Sequence, residues 1–239
     1  MNRQSNTYTV IYATVLVLLV GVGLSVVYQA LRPKQEENIA NDVKRQILAS
    51  ALITPGNGES IGELYDGHIK NSFIVNDKGE VIPGNPLDVN VSAESKKEPS
   101  ERQLPVFECS TSAGMKYIVP VYGAGLWGPI WGYMAFDNNG NTIYGAYFAH
   151  QGETPGLGAE IEKPKFQDQF KNKNIFAEDG QFQSVKVVKK GQEPSTGAYV
   201  NAISGGTITS QGVSKMLENC LAPYTAYFTK LSEGKEATK

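Results

Sequence analysis

The hydrophobic pattern begins with one long uncharged run near the N-terminus. Residues Val10 to Tyr28 read VIYATVLVLLVGVGLSVVY. As a helix this run is about 29 Å long, close to the hydrocarbon thickness of a bilayer. A cleaved signal peptide usually has a shorter apolar core followed by small residues, whereas this run continues into Gln29-Ala30-Leu31-Arg32. The pattern therefore favours a retained transmembrane helix at residues 10–31, after an N-terminal tail at residues 1–9.

A second periodic pattern follows the apolar run. Ile39, Val43, Ile47 and Ala51 recur at four-residue intervals, with charged residues between them. This spacing predicts an amphipathic helix over residues 36–51, which the turn-forming sequence TPGNG then ends. We assign residues 32–60 to a linker built around this helix.

Beyond residue 60 the pattern changes to short hydrophobic runs separated by turn residues. Such runs predict β-strands, here at residues 117–122, 130–136, 142–150, 185–189 and 198–202. The sequence DNNGN joins the second and third strands as a hairpin loop, and the polar stretch ESKKEPSERQ at residues 94–103 predicts a surface loop.

A closing helix is expected from near Ser210. Its apolar face contains Val213, Leu217, Cys220 and Leu221. Strands surrounded by segregated helices predict an α+β fold, with antiparallel strands and flanking helices, over residues 61–232. A polar C-terminal tail follows at residues 233–239.

Composition excludes several classes of function. The formal net charge is -2 and no basic tract is present, which argues against nucleic-acid binding. Cys109 and Cys220 lie far apart without CxxC spacing, and His68 and His150 are the only histidines. Neither a metal site nor a disulfide framework is indicated.

The charges that flank the apolar run do not fix its orientation. Arg3 precedes the run, and four basic residues follow it: Arg32, Lys34, Lys44 and Arg45. These counts, read by the positive-inside rule, place the following domain in the cytoplasm. The bias is small, and a long domain can be translocated regardless of it.

The most informative segment for chemistry reads NAISGGTITS, from Asn201 to Ser210. A predicted strand ends, two glycines permit positive φ, and a helix begins. The backbone N–H groups of such a turn and the helix N-terminus favour an anion such as phosphate, and Thr207 offers a hydroxyl there. The same pattern is also typical of a plain strand–turn–helix connection in which Ser204, Thr209 or Ser210 caps the helix.

Three segments resemble one known family. Ser204-Gly205-Gly206-Thr207 resembles the flavinylation motif (Ser/Thr-Gly-Ala-Thr) of the FMN-binding domain family in bacterial sodium-pumping and related redox complexes. Residues 150–158, HQGETPGLG, are similar to the family's ETPGLG segment, which lies against the isoalloxazine ring. Residues 125–132, GLWGPIWG, resemble its Gly-Leu-Trp segment. Their order behind a single apolar run resembles NqrC, the flavin-carrying family of the sodium-translocating NADH:quinone oxidoreductase.

The resemblance implies a covalent cofactor and the residues around it. In the family a flavin transferase joins the phosphate of FMN to the last threonine of the motif, here Thr207. The implied cofactor-binding residues are Ser204, Gly205, Gly206, Thr207, Thr154, Leu157, Gly158, Leu126 and Trp127. Among these, the leucines and the tryptophan would contact the ring, and the hydroxyl of Thr154 would bond its polar edge.

Other residues of these segments have plainer interpretations. Ordinary core packing is the alternative for Trp127 and, more strongly, for Trp131. His150 is expected to be a structural partner. Glu153 and Glu160 form a possible carboxylate pair, but no glycosidase-like context surrounds them.

The motif departs from the family pattern at two positions. Gly206 stands where alanine is usual, which a tight turn tolerates. Asn201 stands where the transferase pattern usually begins with aspartate, and loss of that carboxylate would weaken recognition by the transferase without disturbing the fold.

The resemblance also implies partners and a location. The chain would relay electrons between the other subunits (A, B, D, E and F) while NADH is oxidised, quinone is reduced and sodium is exported, and it would not bind NADH itself because no GxGxxG follows a strand. The family places the FMN domain on the periplasmic face of the bacterial inner membrane, against the charge count above. The alternatives are the G subunit of the related Rnf complex, a membrane-anchored FMN-binding sensor module and an anchored binding domain without flavin.

Overall fold

The computed structural model of the chain describes residues 6–192, 194 and 196–236. The predicted tails at residues 1–9 and 233–239 lie partly outside the described residues, at residues 1–5 and 237–239. The chain divides after Val43 into two compact units, residues 1–43 and residues 44–239.

The first helix, α1, extends from Asn6 to Ser50 and continues through Pro33. Its apolar side chains from Val10 to Leu31 are exposed. In the part of the chain that the structure describes, α1 is the one helix long and apolar enough to cross a membrane. Tyr8 precedes the apolar run, and Tyr12 and Tyr28 lie near its two ends; such rings favour the two membrane–water interfaces.

The last residues of α1 belong to the second unit and are part of its core. Ile47 and Leu48 are completely buried. The indole Nε1 of Trp131 donates a hydrogen bond to Gln46 Oε1 at 3.1 Å, so Trp131 is a half-buried contact between sheet and helix. After Ser50 the chain turns at Leu52, whose φ is 62°.

The second unit is built on a six-stranded antiparallel sheet with the order β2-β1-β3-β4-β5-β6. Its strands are β1 (Ile69–Val75), β2 (Val81–Ile82), β3 (Leu104–Thr111), β4 (Gly114–Ala124), β5 (Pro129–Phe136) and β6 (Ile143–His150). The predicted hairpin loop joins β5 to β6, with the Asp137 N–H donating to Thr142 O and Gly140 at a φ of 65°.

Helices flank this sheet and a second, smaller sheet lies beside them. The remaining helices are α2 (Ile61–His68), α3 (Val91–Glu94), α4 (Pro164–Gln167), α5 (Thr207–Leu221) and α6 (Thr225–Glu236). The smaller sheet pairs β7 (Val185–Val188) with β8 (Ala198–Asn201) in parallel. The arrangement confirms the predicted α+β fold.

One face of α5 and the start of α6 fill the main core against the large sheet. Val213, Leu217 and Leu221 of α5 are completely buried, as the apolar spacing predicts, and Phe228 of α6 packs 4.7 Å from the ring of Phe136. Both cysteines are free and buried. Burial raises the pKa of the Cys109 thiol to about 11 and also raises that of Cys220, so neither is a reactive thiol in the folded chain.

The stretch at residues 94–103 differs from the predicted surface loop. It contains a short 3-10 turn, Pro99–Glu101, and its Arg102 is buried. The guanidinium of Arg102 donates to the backbone oxygens of Lys97, Ser95 and Asn219 and to the side chain of Asn219. These bonds tie the stretch to α5, which the polar sequence alone did not indicate.

Candidate flavin site

The three segments singled out in the sequence meet at the N-terminus of α5. A Cβ placed on Gly206 would lie 3.3 Å from the backbone nitrogen of Gly158. The Trp127 N–H donates to Glu153 Oε1 at 2.8 Å, which joins the Gly-Leu-Trp segment to the ETPGLG segment. Residues far apart in sequence are therefore brought together as expected.

The turn before α5 uses its two glycines differently. Gly205 has a φ of +75°, a conformation that favours glycine. Gly206 is the N-cap with a φ of -104°, so its backbone accepts alanine, although a Cβ there would lie 3.1 Å from Ile203 Cγ2. The alanine usual at this position would therefore fit with only a small adjustment.

Helix α5 begins at Thr207, three residues earlier than the prediction of a start near Ser210. The Ser210 N–H already donates a helical bond to Gly206 O at 2.9 Å. The prediction was wrong because hydroxyl residues favour the N-cap position, whereas here a glycine occupies it.

None of the three hydroxyls proposed as caps forms a capping bond. Ser210 Oγ accepts from the Ile203 N–H at 3.1 Å, and the Thr209 hydroxyl donates to Glu153 Oε2. Among the described residues no side chain caps α5, and Ser204 is exposed. The first N–H groups of a helix lack partners within it, so the end that begins with Thr207 is open to an anion.

The ETPGLG segment lies directly beside this turn. A Cβ on Gly205 would lie 2.6 Å from Leu157 Cδ2, and Gly158 is buried between Glu153 and Thr209. Backbone bonds from Leu157 and Ala159 to Thr154 O hold the segment in a turn. The side chain of Thr154 is exposed, in a position to meet a ligand's polar edge.

Four exposed apolar side chains lie on the two loops and on the first turn of α5, and we call them the apolar face. Their exposed fractions are 47% for Leu126, 68% for Trp127, 42% for Leu157 and 54% for Ile208. Trp127 is thus not a core residue, in contrast to the alternative considered from sequence. Exposed apolar side chains on loops beside an open helix N-terminus suit a ligand with a flat ring and a phosphate, and FMN has both.

Glu153 is the residue of this site that the sequence did not identify. It is 4% exposed, and its two carboxylate oxygens bond different segments. The other carboxylate of the suggested pair, Glu160, instead accepts from the Gly156 N–H at 3.2 Å within the same loop. The only signal in the sequence was the position of Glu153 at the start of the ETPGLG segment.

His150 has a structural contact, as expected. Its Nδ1 accepts the Glu153 N–H at 3.2 Å, and its Nε2 lies 3.7 Å from Glu162 Oε1. The ring therefore supports the start of the ETPGLG segment.

A cavity of about 520 Å³ lies beside the start of the motif. Lys163, Lys165 and Phe166 line it together with Asn201 and Ser204. Asn201 also donates to Gln169 Oε1, through its backbone N–H at 2.9 Å and its side-chain Nδ2 at 3.2 Å. The position where the family usually has aspartate is thus held by an amide pair.

Known proteins resemble the chain in sequence and in structure. Residues 125–222 match the family model of the FMN-binding domain. The C subunit of the Na(+)-translocating NADH-quinone reductase from Pseudomonas aeruginosa is 30% identical, over 98% of this chain and 99% of that relative. The C subunit from Pasteurella multocida is 32% identical, over 85% and 86%.

Solved structures agree with these relatives. The crystal structure of the C subunit from Parabacteroides distasonis is 47% identical and has a TM-score of 0.77, over 83% of this chain and 97% of that one. The crystal structure of NqrC from Shewanella oneidensis is 27% identical, with a TM-score of 0.68, over 81% of this chain and 98% of that one. The resemblance inferred from three short segments is confirmed over nearly the whole sequence: the chain belongs to the NqrC family, the C subunits of the Na(+)-translocating NADH-quinone reductases.

Proposed function

We propose that the chain carries FMN on Thr207 and relays electrons within a sodium-translocating NADH:quinone reductase. The observation that carries this proposal is the position of Thr207. It is the first residue of an uncapped helix, at the turn where the segments that contribute the apolar face meet. The FMN-binding domain that matches residues 125–222 contains this position.

Different parts of the site would hold different parts of the cofactor. The Thr207 oxygen would bond to the flavin phosphorus and displace the leaving group of the transferase's activated flavin donor, and the hydroxyl proton would be lost; the product equals threonine plus FMN less one water. The open N-terminus of α5 would stabilise the phosphate charge. The bond also removes the translational cost of binding, so a shallow surface such as the apolar face can retain the ring. The flavin supplies the electron chemistry, and the protein sets its orientation and solvent access.

The relatives support a place for the chain in a larger complex. Those described above carry the name of the C subunit of this reductase, which supports this assignment over the G subunit of the Rnf complex or a sensor module. The donor and acceptor of electrons would be other subunits among A, B, D, E and F. The maturation partner would be a flavin transferase.

The complete reductase tests this function most directly. Membranes that contain the other subunits together with this chain are expected to reduce quinone with NADH, and membranes from which this chain is omitted are not. After denaturation a flavin should remain with this chain. Full quinone reduction in the membranes that lack the chain would contradict the proposal.

The apolar run of α1 is proposed to span the bacterial inner membrane once, with the FMN domain on the periplasmic side. Trypsin added to intact spheroplasts is then expected to digest the domain at exposed lysines such as Lys189 and Lys190, because the outer face is accessible. Immunoblotting against the domain measures this result. Protection in intact spheroplasts, with digestion after lysis, would place the domain in the cytoplasm.

Asn201→Asp is expected to accelerate flavin attachment several-fold, because it restores the carboxylate usual in the transferase pattern. Only the exposed side-chain bond from Asn201 Nδ2 to Gln169 Oε1 is lost, because the backbone N–H bond to the same oxygen remains, and this loss costs about 1 kcal/mol or less. In-gel flavin fluorescence during a timed reaction with the transferase measures the rate. Asn201→Ala is the control, since it removes the amide without adding a carboxylate, and an equal rate in both variants would contradict the expectation.

A further inference from the structure

Glu153 lies at the junction of the three segments and bonds two of them through its side chain. Oε1 accepts from the backbone N–H of Trp127 at 2.8 Å, and Oε2 accepts from the hydroxyl of Thr209 at 2.5 Å. Thr209 is 1% exposed and is the third residue of α5. One buried carboxylate therefore spans the ETPGLG segment, the Gly-Leu-Trp segment and the helix that begins with Thr207.

The two hydrogen-bond donors and the N-terminus of α5 stabilise the carboxylate of Glu153. Within the described ranges no lysine or arginine forms an ion pair with it. A buried carboxylate without a cation is costly unless its oxygens are hydrogen-bonded. The positive end of α5 and the two bonds supply that compensation, so the carboxylate fixes the distance between the loops and the helix.

Two neighbouring glycines leave the space that this carboxylate occupies. A Cβ on Gly125 would collide with Glu153 Oε1, and a Cβ on Gly158 would collide with Glu153 Oε2. Both glycines lie in the segments that contribute Leu126, Trp127 and Leu157 to the apolar face. The backbone of the two loops is thus shaped around the Glu153 side chain.

We infer that Glu153 is a positioning residue that holds the two loops of the apolar face against α5 so that an attached flavin ring has one orientation. This inference rests on the proposed attachment of FMN to Thr207. Glu153 does not touch the phosphate-accepting hydroxyl and acts through Trp127 and Thr209. Covalent attachment keeps the flavin on the chain in any case, whereas a fixed ring requires rigid loops.

The test is the ring's optical signal per attached flavin, in full-length chain produced with a flavin transferase and purified in detergent. In Glu153→Ala and in Thr209→Val, the visible circular dichroism of the flavin is expected to fall by about twofold or more. Thr209→Val keeps the shape of the side chain and removes only the hydroxyl. Thr209→Ser retains the hydroxyl and should restore the signal.

Two controls separate positioning from stability and from charge. Leu48→Ala removes a completely buried side chain of α1, outside the three segments; it should lower Tm but leave the flavin signal unchanged below the transition. Glu160→Gln changes the other carboxylate of the same loop and should leave both the Tm and the flavin signal unchanged. Failure of Glu153→Ala and Thr209→Val to take up flavin, with Leu48→Ala normally loaded, would contradict the inference, because it would assign the two residues to flavin attachment instead of to ring orientation.

The inference would be overturned if Glu153→Ala and Thr209→Val both gave the wild-type circular dichroism per attached flavin. That result is distinct from failure of the proposed function, in which the wild-type chain itself carries no flavin.

Discussion

Replacement of Thr207 by alanine is expected to abolish covalently bound flavin and, with it, quinone reduction by the assembled reductase. Thr207 is part-buried at the first position of α5, and no described side chain caps that helix end. The substitution removes one oxygen and leaves a backbone that alanine adopts readily. The loss of function therefore comes from the missing acceptor, and the free energy of unfolding should change by about 1 kcal/mol or less.

In-gel flavin fluorescence after denaturation measures the first effect, and NADH:quinone activity of membranes measures the second. Thr207→Ser keeps the hydroxyl and is expected to retain a fluorescent band. Thr196→Ala changes an exposed hydroxyl outside the motif and should also retain the band. A Thr207→Ala chain that remains as fluorescent as the wild type would show that the flavin is attached elsewhere.

The second large effect is expected for Gly158→Ala. Gly158 is buried, and a Cβ there would overlap Glu153 Oε2 and lie 2.5 Å from Thr209 Oγ1. The hydrogen bond between these two side chains would have to break or shift. Overpacking together with a disturbed buried hydrogen bond costs about 3 kcal/mol, which corresponds to a fall in Tm of roughly 6–12 °C for a domain of this size.

Thermal unfolding of the flavin-loaded chain measures the cost of Gly158→Ala. Gly152→Ala is the matched control, because Gly152 lies in the same segment and a Cβ there would meet nothing within 4 Å. The Tm of that variant should stay within about 2 °C of the wild type. Equal Tm values for the two variants would contradict the close packing around Glu153.

The hydrophobic pattern predicted the elements with clean local signals. The β5–β6 hairpin followed from DNNGN between two apolar runs, and the face of α5 followed from its helical spacing. Strand β3 was missed because its residues Leu104 to Phe107 are buried on both faces, so no alternation is visible, and Pro105 argued against a central strand. Strand β1 was missed because its polar residues Asn71 and Ser72 interrupt the apolar pattern.

The flavin site was also predicted only in part, because one of its residues acts through partners that are distant in sequence. Each motif is a continuous stretch of sequence. The sequence alone therefore indicated Thr207, Leu157 and Trp127 as site residues. The role of Glu153 depends on Trp127 and Thr209, which are 26 and 56 residues away along the chain. A charged residue in a turn normally faces water, and only the fold reveals that this one is enclosed.

The central claim is the phosphoester on Thr207, and peptide mass spectrometry tests it most directly. Trypsin should release the segment from Gly191 to Lys215, which contains Thr207 between the nearest lysines. In chain produced with its flavin transferase, this peptide is expected to carry the mass of FMN less one water, with fragment ions that assign the addition to Thr207. An unmodified peptide from natively produced protein, or an addition on another residue, would contradict the account.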